Sequence, residues 1–188
     1  MASVHQKGFT LVEMAIVLVI IGLLLGGVLK GQELINGAKI KNVHSDAQSI
    51  LSAVLTYQQR YKALPGDDNS SAIADISTNK GNANGQIDDG EEAAFYEQLR
   101  RANLLTGSPT DAVPVHAFGG NIEVNENAYD NAEGNNICFM DMPGDAANII
   151  DSQYDDGLPS SGAIQGGSDA DAAYVIDGST TYDLCYRL

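Results

Sequence analysis

A chain of 188 residues is long enough for one domain with an extension. Its formal net charge of −15 is unevenly spread: residues 1–62 hold six basic and three acidic groups, a balance of +3, and the remainder holds four basic and 22 acidic, −18. An acidic C-terminal portion repels phosphate, which argues against broad nucleic-acid binding there, although the adjacent Arg100 and Arg101 leave room for a local basic patch.

Residues 1–8 read as a short leader ending in Lys7-Gly8, and an apolar run follows from Phe9 to Leu29. Those 21 residues hold one ionisable group, Glu13. As a helix they would be about 31 Å long, close to the roughly 30 Å hydrocarbon core of a bilayer. A secretory signal is cut after its apolar stretch, at small residues. Nothing about a discarded peptide would offset a carboxylate that costs on the order of 2.5–3.5 kcal/mol to insert. Glu13 makes sense on a retained helix whose acid meets a positive partner.

Lys7-Gly8 followed by Phe9-Thr10-Leu11-Val12-Glu13 resembles the class III signal of type IV prepilins and their relatives. The resemblance implies cleavage between Gly8 and Phe9 by a membrane prepilin peptidase, which also N-methylates the new terminus. It implies further that Glu13 neutralises the terminal amine of a neighbouring subunit in a filament. One departure is plain. Many type IV pilins carry a proline in mid-helix, whereas the corresponding stretch here is Val28-Leu29-Lys30-Gly31. Loosening on assembly would then fall to glycines, each costing about 1 kcal/mol relative to alanine. Gly22/Gly26 and Gly27/Gly31 have G-x-x-x-G spacing, which allows close helix approach, though glycine is common in membrane helices anyway.

Beyond the apolar run the pattern remains helical to Leu64. Val43, Ala47, Ile50, Val54, Tyr57, Tyr61 and Leu64 recur at steps of four and three, a core-facing stripe. Leu64-Pro65-Gly66 ends it, because the residue before proline is pushed out of the α region. Phe9–Leu64 as one helix would be about 84 Å long, its inner half an anchor and its outer half the support of a head. Residues 66–90 read as a surface loop rich in Gly, Asn, Asp and Ser. A second helix is expected over Glu91–Leu105, capped by Asp88 or Asp89 and stopped at Gly107. Short strands are expected at Val113–Phe118, Asn121–Val124, Asn136–Met140, Ala173–Ile176 and Tyr182–Arg187, with a short helix over Asp145–Tyr154. The fold class is α+β and pilin-like: leader 1–8, N-terminal helix 9–64 with its membrane or filament-core part at 9–29, and a head at 65–188 built on a small antiparallel sheet.

Lys80 to Glu91 can be laid on a twelve-residue calcium loop. Asn82 and Asn84 then fall at positions three and five, Gly85 at six, Gln86 at seven, Asp88 at nine and Glu91 at twelve. Lys80 occupies the first position, where a carboxylate is expected, so a solvated acidic loop is the competing reading. Asp151, Asp155 and Asp156 form a second acidic cluster before Gly157-Leu158-Pro159, similar to Asp-Asp-Gly-x-Pro loops of pilin-like subunits, some of which bind calcium; a turn with solvated carboxylates is the simpler reading. No other cofactor is implied. Cys138 and Cys185, in an oxidising compartment, read as one disulfide, against two buried thiols or a metal site. No nucleophile elbow or phosphate-binding loop occurs, and His116, the one histidine beyond residue 62, reads as a strand residue. The expectation is not an enzyme. The resemblance points to a structural subunit, held in the inner membrane with its head in the periplasm and then moved by an inner-membrane assembly platform into a homo- or hetero-oligomeric filament. The alternatives are a type II secretion pseudopilin, or a minor pilin serving adhesion or DNA uptake.

Overall fold

A computed structural model describes residues 8–70, 80–88, 90–129, 132–167 and 173–188. Helix α1 spans Leu11–Tyr61, α2 Glu92–Arg101 and α3 Gly144–Tyr154; strands β1 to β4 are Ile122–Glu126, Asn135–Pro143, Ile164–Gln165 and Thr181–Arg187. The chain divides into two compact units, Met1–Ala38 and Lys39–Leu188.

In the first unit the described residues from Leu11 to Ala38 belong to α1, and its large apolar side chains, Leu11 through Leu29, are exposed. Among the described residues, α1 is the one helix long and apolar enough to cross a membrane. Lys30 and Glu33 form an exposed ion pair at the end of this run, which contributes little by itself.

The second unit is an α+β body. Its sheet has the order β1-β2-β4-β3, every pairing antiparallel. The stripe on α1 is its core wall: Val43, Ala47, Ile50, Val54 and Tyr57 are buried with Phe139, Leu184 and Ile137 of the sheet and Ala147 and Ile150 of α3. Four-and-three spacing put these side chains on one face, and the sheet supplied the surface to bury them. The alternation on β2 and β4 breaks between Phe139 and Met142, where the register shifts and Asp141 takes a positive φ of 56°. This irregularity leaves Asp141 exposed while returning Met142 to the core.

Several boundaries differ from the sequence expectation, each for a local reason. Helix α1 stops at Tyr61, three residues short of Leu64, because Lys62 adopts a left-handed backbone (φ 61°). Helix α2 stops at Arg101 instead of Leu105. Asn103 (φ 56°) donates to the Arg100 carbonyl while the Leu104 N–H reaches Leu99, the paired bonds of a Schellman ending with asparagine in glycine's usual place. The N-cap is Glu91; Asp88 meets it through its backbone alone, its carbonyl accepting from Glu91 N–H and its N–H donating to Glu91 Oε2, and Asp89 lies outside the described residues. Val113–Phe118 is not a strand. Its one bridge is Val115 to Asn121, and the chain reverses at once, with His116 N–H on the Gly120 carbonyl. Ala173–Ile176 carries no strand either, while Ile164–Gln165 does; two residues are too few to show a period.

Candidate functional site

The N-terminal motif comes first. Of its residues, Lys7 and those before it lie outside the described residues, while Gly8 and Phe9 are exposed ahead of α1. Thr10 Oγ1 accepts from the Glu13 N–H (3.2 Å). Glu13 Oε2 in turn accepts from the Thr10 N–H (2.8 Å) and the Thr10 hydroxyl (2.7 Å). This is a reciprocal capping box, satisfying two amide donors that the first helical turn leaves without partners. A carboxylate in the first turn also faces the positive end of the helix dipole. Glu13 therefore serves its own helix before any second chain is considered. The Thr-x-x-Glu spacing is the sequence signal for this, and a search for a distant counter-charge passes over it.

The loop from Lys80 to Glu91 is built on a residue that the calcium template omits, Asp67. Its Oδ1 accepts from Asn84 N–H (3.1 Å) and its Oδ2 from Gly85 N–H (2.7 Å). The approach is so close that a Cβ at Gly81 would lie 2.1 Å from the Asp67 Cα. Glu91 spends its two oxygens on the backbone N–H groups of Asn82 (2.9 Å) and Asp88 (3.1 Å). Asn82 and Asn84 turn their amide nitrogens, not their oxygens, to Asp88 Oδ2, at 2.6 and 2.8 Å. Gln86 reaches away to Glu126 (2.7 Å). The bond from Asn82 first of all holds the Asp88 carboxyl below its usual range. In this arrangement the oxygens of Glu91 and Asp88 Oδ2 accept from N–H donors of the loop itself, and Gln86 turns to Glu126.

Beneath the loop, Asp67 and Asp68 are both buried. Tyr57 on α1 donates to Asp68 Oδ2 (2.9 Å), and Gln98 on α2 bridges, its Oε1 accepting from Gly66 N–H (2.7 Å) and its Nε2 donating to the Asp68 carbonyl (3.2 Å). Leu64-Pro65-Gly66-Asp67-Asp68 is thus a polar joint between two helices. Buried polar groups need such partners, and here each has them.

The second acidic cluster does converge: carboxylate oxygens of Asp151, Asp155 and Asp156 lie within 4.8 Å of one another. Each is already engaged. Asp151, at the end of α3 and fully buried, accepts from the Tyr174 hydroxyl (2.7 Å) and Gly157 N–H (2.9 Å). Asp155 Oδ2 accepts from Ala163 and Ile164 N–H at 2.6 and 2.7 Å, which fixes the start of β3. Asp156 accepts from the Ser161 hydroxyl (2.6 Å) and Leu158 N–H (2.9 Å). Burial pushes the Asp151 carboxyl upward, and the Ser161 hydroxyl first among its bonds holds that of Asp156 down.

Cys138 on β2 stands opposite Cys185 on β4, with a Cα–Cα distance of 4.0 Å, and the two are bonded as a disulfide. His116, in its tight turn, places Nε2 2.8 Å from the Met140 carbonyl while Nδ1 accepts from Phe118 N–H (3.2 Å). The carbonyl requires a proton on Nε2 and the N–H a lone pair on Nδ1, so the neutral Nε2–H tautomer satisfies both. That makes His116 a structural clip.

Residues 4–29 match the family model described as the prokaryotic N-terminal methylation motif. No curated protein and no solved structure matches the chain.

Proposed function

We propose that this chain, which carries the prepilin-type cleavage and methylation signal of type IV pilins, is a structural subunit of a type IV pilus or related filament. As a pilin-like substrate of a prepilin peptidase, it is cut between Gly8 and Phe9, methylated on the new amine, and held in the membrane by the apolar part of α1. The leader is then residues 1–8, the anchor 9–29, and the head lies beyond residue 64. In the filament, helix–helix contact replaces lipid contact, so the exposed side chains from Leu11 to Leu29 need never meet water. One observation carries the reading: the motif runs directly into α1, whose exposed apolar stretch to Leu29 holds a single acid, Glu13, in the first turn.

Mass spectrometry of the purified mature protein tests this directly. The expected N-terminal peptide begins with a methylated Phe9. A mature chain that starts beyond Leu29 would mean that the apolar helix had been discarded, and the reading with it.

A further inference from the structure

The charge of the second unit is sorted along the chain. Residues 102–186 hold 14 acidic residues and no lysine or arginine, whereas the chain between Asp46 and Asp67 holds Arg60 and Lys62 and no acid. Each stretch also leaves apolar side chains in solvent. On α1, Leu55 is 58% exposed, Gln59 lies one turn on along the same side, and the exposed Arg60 and Lys62 stand where the helix ends. Arg60 donates to the Ala102 carbonyl (3.3 Å) and lies over the Tyr61 ring; among the described residues neither cation forms an ion pair.

In the acidic stretch Val175 and Ile176 are 48% and 63% exposed. Their backbone is pinned on both sides. Tyr174 before them is buried with its hydroxyl on Asp151 (2.7 Å), and Val175 N–H donates to the Tyr182 hydroxyl (2.7 Å). The Val175 carbonyl lies against Gly144, just beyond the exposed Asp141, whose own N–H donates to Asp183 Oδ1 (3.0 Å). Asp177, also exposed, stands in the turn that follows. This is an apolar pair edged by carboxylates, and the end of α1 is an apolar side chain edged by cations. The two lie on different parts of the unit. The end of α2, which takes Arg60, belongs to a helix packed on β1, whereas Val175 and Asp177 lead into β4, with β2 between.

Setting either patch against its own counterpart on another copy would oppose like charges. Setting one patch on the other matches cation to acid and apolar to apolar, and leaves a patch free at each end for the next copy. We infer that the partner of the Leu55–Lys62 face is the Val175–Asp177 segment of a second copy of this chain, Leu55 meeting Val175 and Ile176 while Arg60 and Lys62 meet Asp177 and Asp141. In the filament proposed above, on which this contact rests, it joins the heads of successive subunits.

Photo-crosslinking in the cells that make the full chain tests this, with p-benzoylphenylalanine placed at position 55 or, as a reference on the apolar run, at position 16. Position 55 should yield a ladder of dimers, trimers and higher species, its crosslinked peptides mapping to residues 173–183 of another copy. Lys62→Glu should weaken that ladder by roughly two- to fivefold, the upper range for one exposed ion pair. Thr181→Lys in the same chain, at an exposed position beside the acidic patch, should restore it. Loss of the position-55 ladder while position 16 still gives one overturns the contact and leaves the filament standing; loss of both ladders overturns both. A position-55 ladder that maps outside residues 173–183, that Lys62→Glu leaves undiminished, or that Thr181→Lys fails to restore also overturns the contact.

Discussion

Glu13 is asked to do two things with one carboxylate. In the single chain it caps α1 through Thr10, which keeps its charge hydrogen-bonded in an apolar setting. In a filament it would pair with the amine of Phe9 on a neighbour. Thr10→Ala removes one half of the box and should cost the helix start about 1 kcal/mol, visible as faster amide exchange over the first turn. Glu13→Ala removes both roles, so cleavage at Gly8 should persist on immunoblots while sheared filaments disappear. Normal filament yield from Glu13→Ala would rule out the pairing role. A second residue sets an acid limit. Asp177 accepts from the N–H groups of Thr180 and Ser179 and from the Thr180 hydroxyl, which hold its carboxyl far below the usual range. A carboxyl depressed in the folded state contributes stability that is fully present above its unfolded value, about 3.9, and is lost as pH falls from there through the folded value. Below about pH 4 the melting temperature of the wild type should therefore fall more steeply than that of Asp177→Ala. Parallel acid limbs would show that this turn contributes nothing to acid sensitivity.

Among the elements, those with a long period were legible in the residues and those fixed by a single close approach were not. The α1 stripe and the helix after Pro143 could be read because many side chains repeat one spacing. The loop at Lys80–Glu91 shows the opposite case. Its residue spacing suggests an ion, whereas the partner that holds the backbone at Asn84 and Gly85 is Asp67, 17 and 18 residues earlier. No local template contains that partner. Gly81 is the structural signature of the contact, and Gly81→Ala should destabilise the fold by about 1–3 kcal/mol, because a Cβ would overlap backbone that cannot step aside. A denaturant midpoint unchanged in Gly81→Ala would show the loop to be looser than described. Likewise β3 exists because Asp155 pins its first amide, a tertiary cause invisible in a two-residue strand.

At the level of the whole molecule, the N-terminal motif and the α+β layout were both readable, because one depends on a contiguous signal and the other on summed patterning. The cysteine pair illustrates how far spacing alone carries. It indicates a closed loop but not that the bond joins two strands already paired. Replacing both cysteines by serine should cost about 4 kcal/mol in the chain-entropy picture, measured as a lowered midpoint under non-reducing conditions. An unchanged midpoint would mean that strand pairing alone restrains the unfolded chain. The bond has a mechanical consequence as well. When the protein is stretched between Phe9 and Leu188, the load crosses from Cys138 to Cys185 through sulfur. The intervening segment, a sequence separation of 47, never enters the extended contour. At about 3.3–3.6 Å per residue that is roughly 155–170 Å of hidden length. In single-molecule pulling it should emerge only after a thiol reductant is added, so an oxidised subunit would yield far less slack under tension than its residue count suggests.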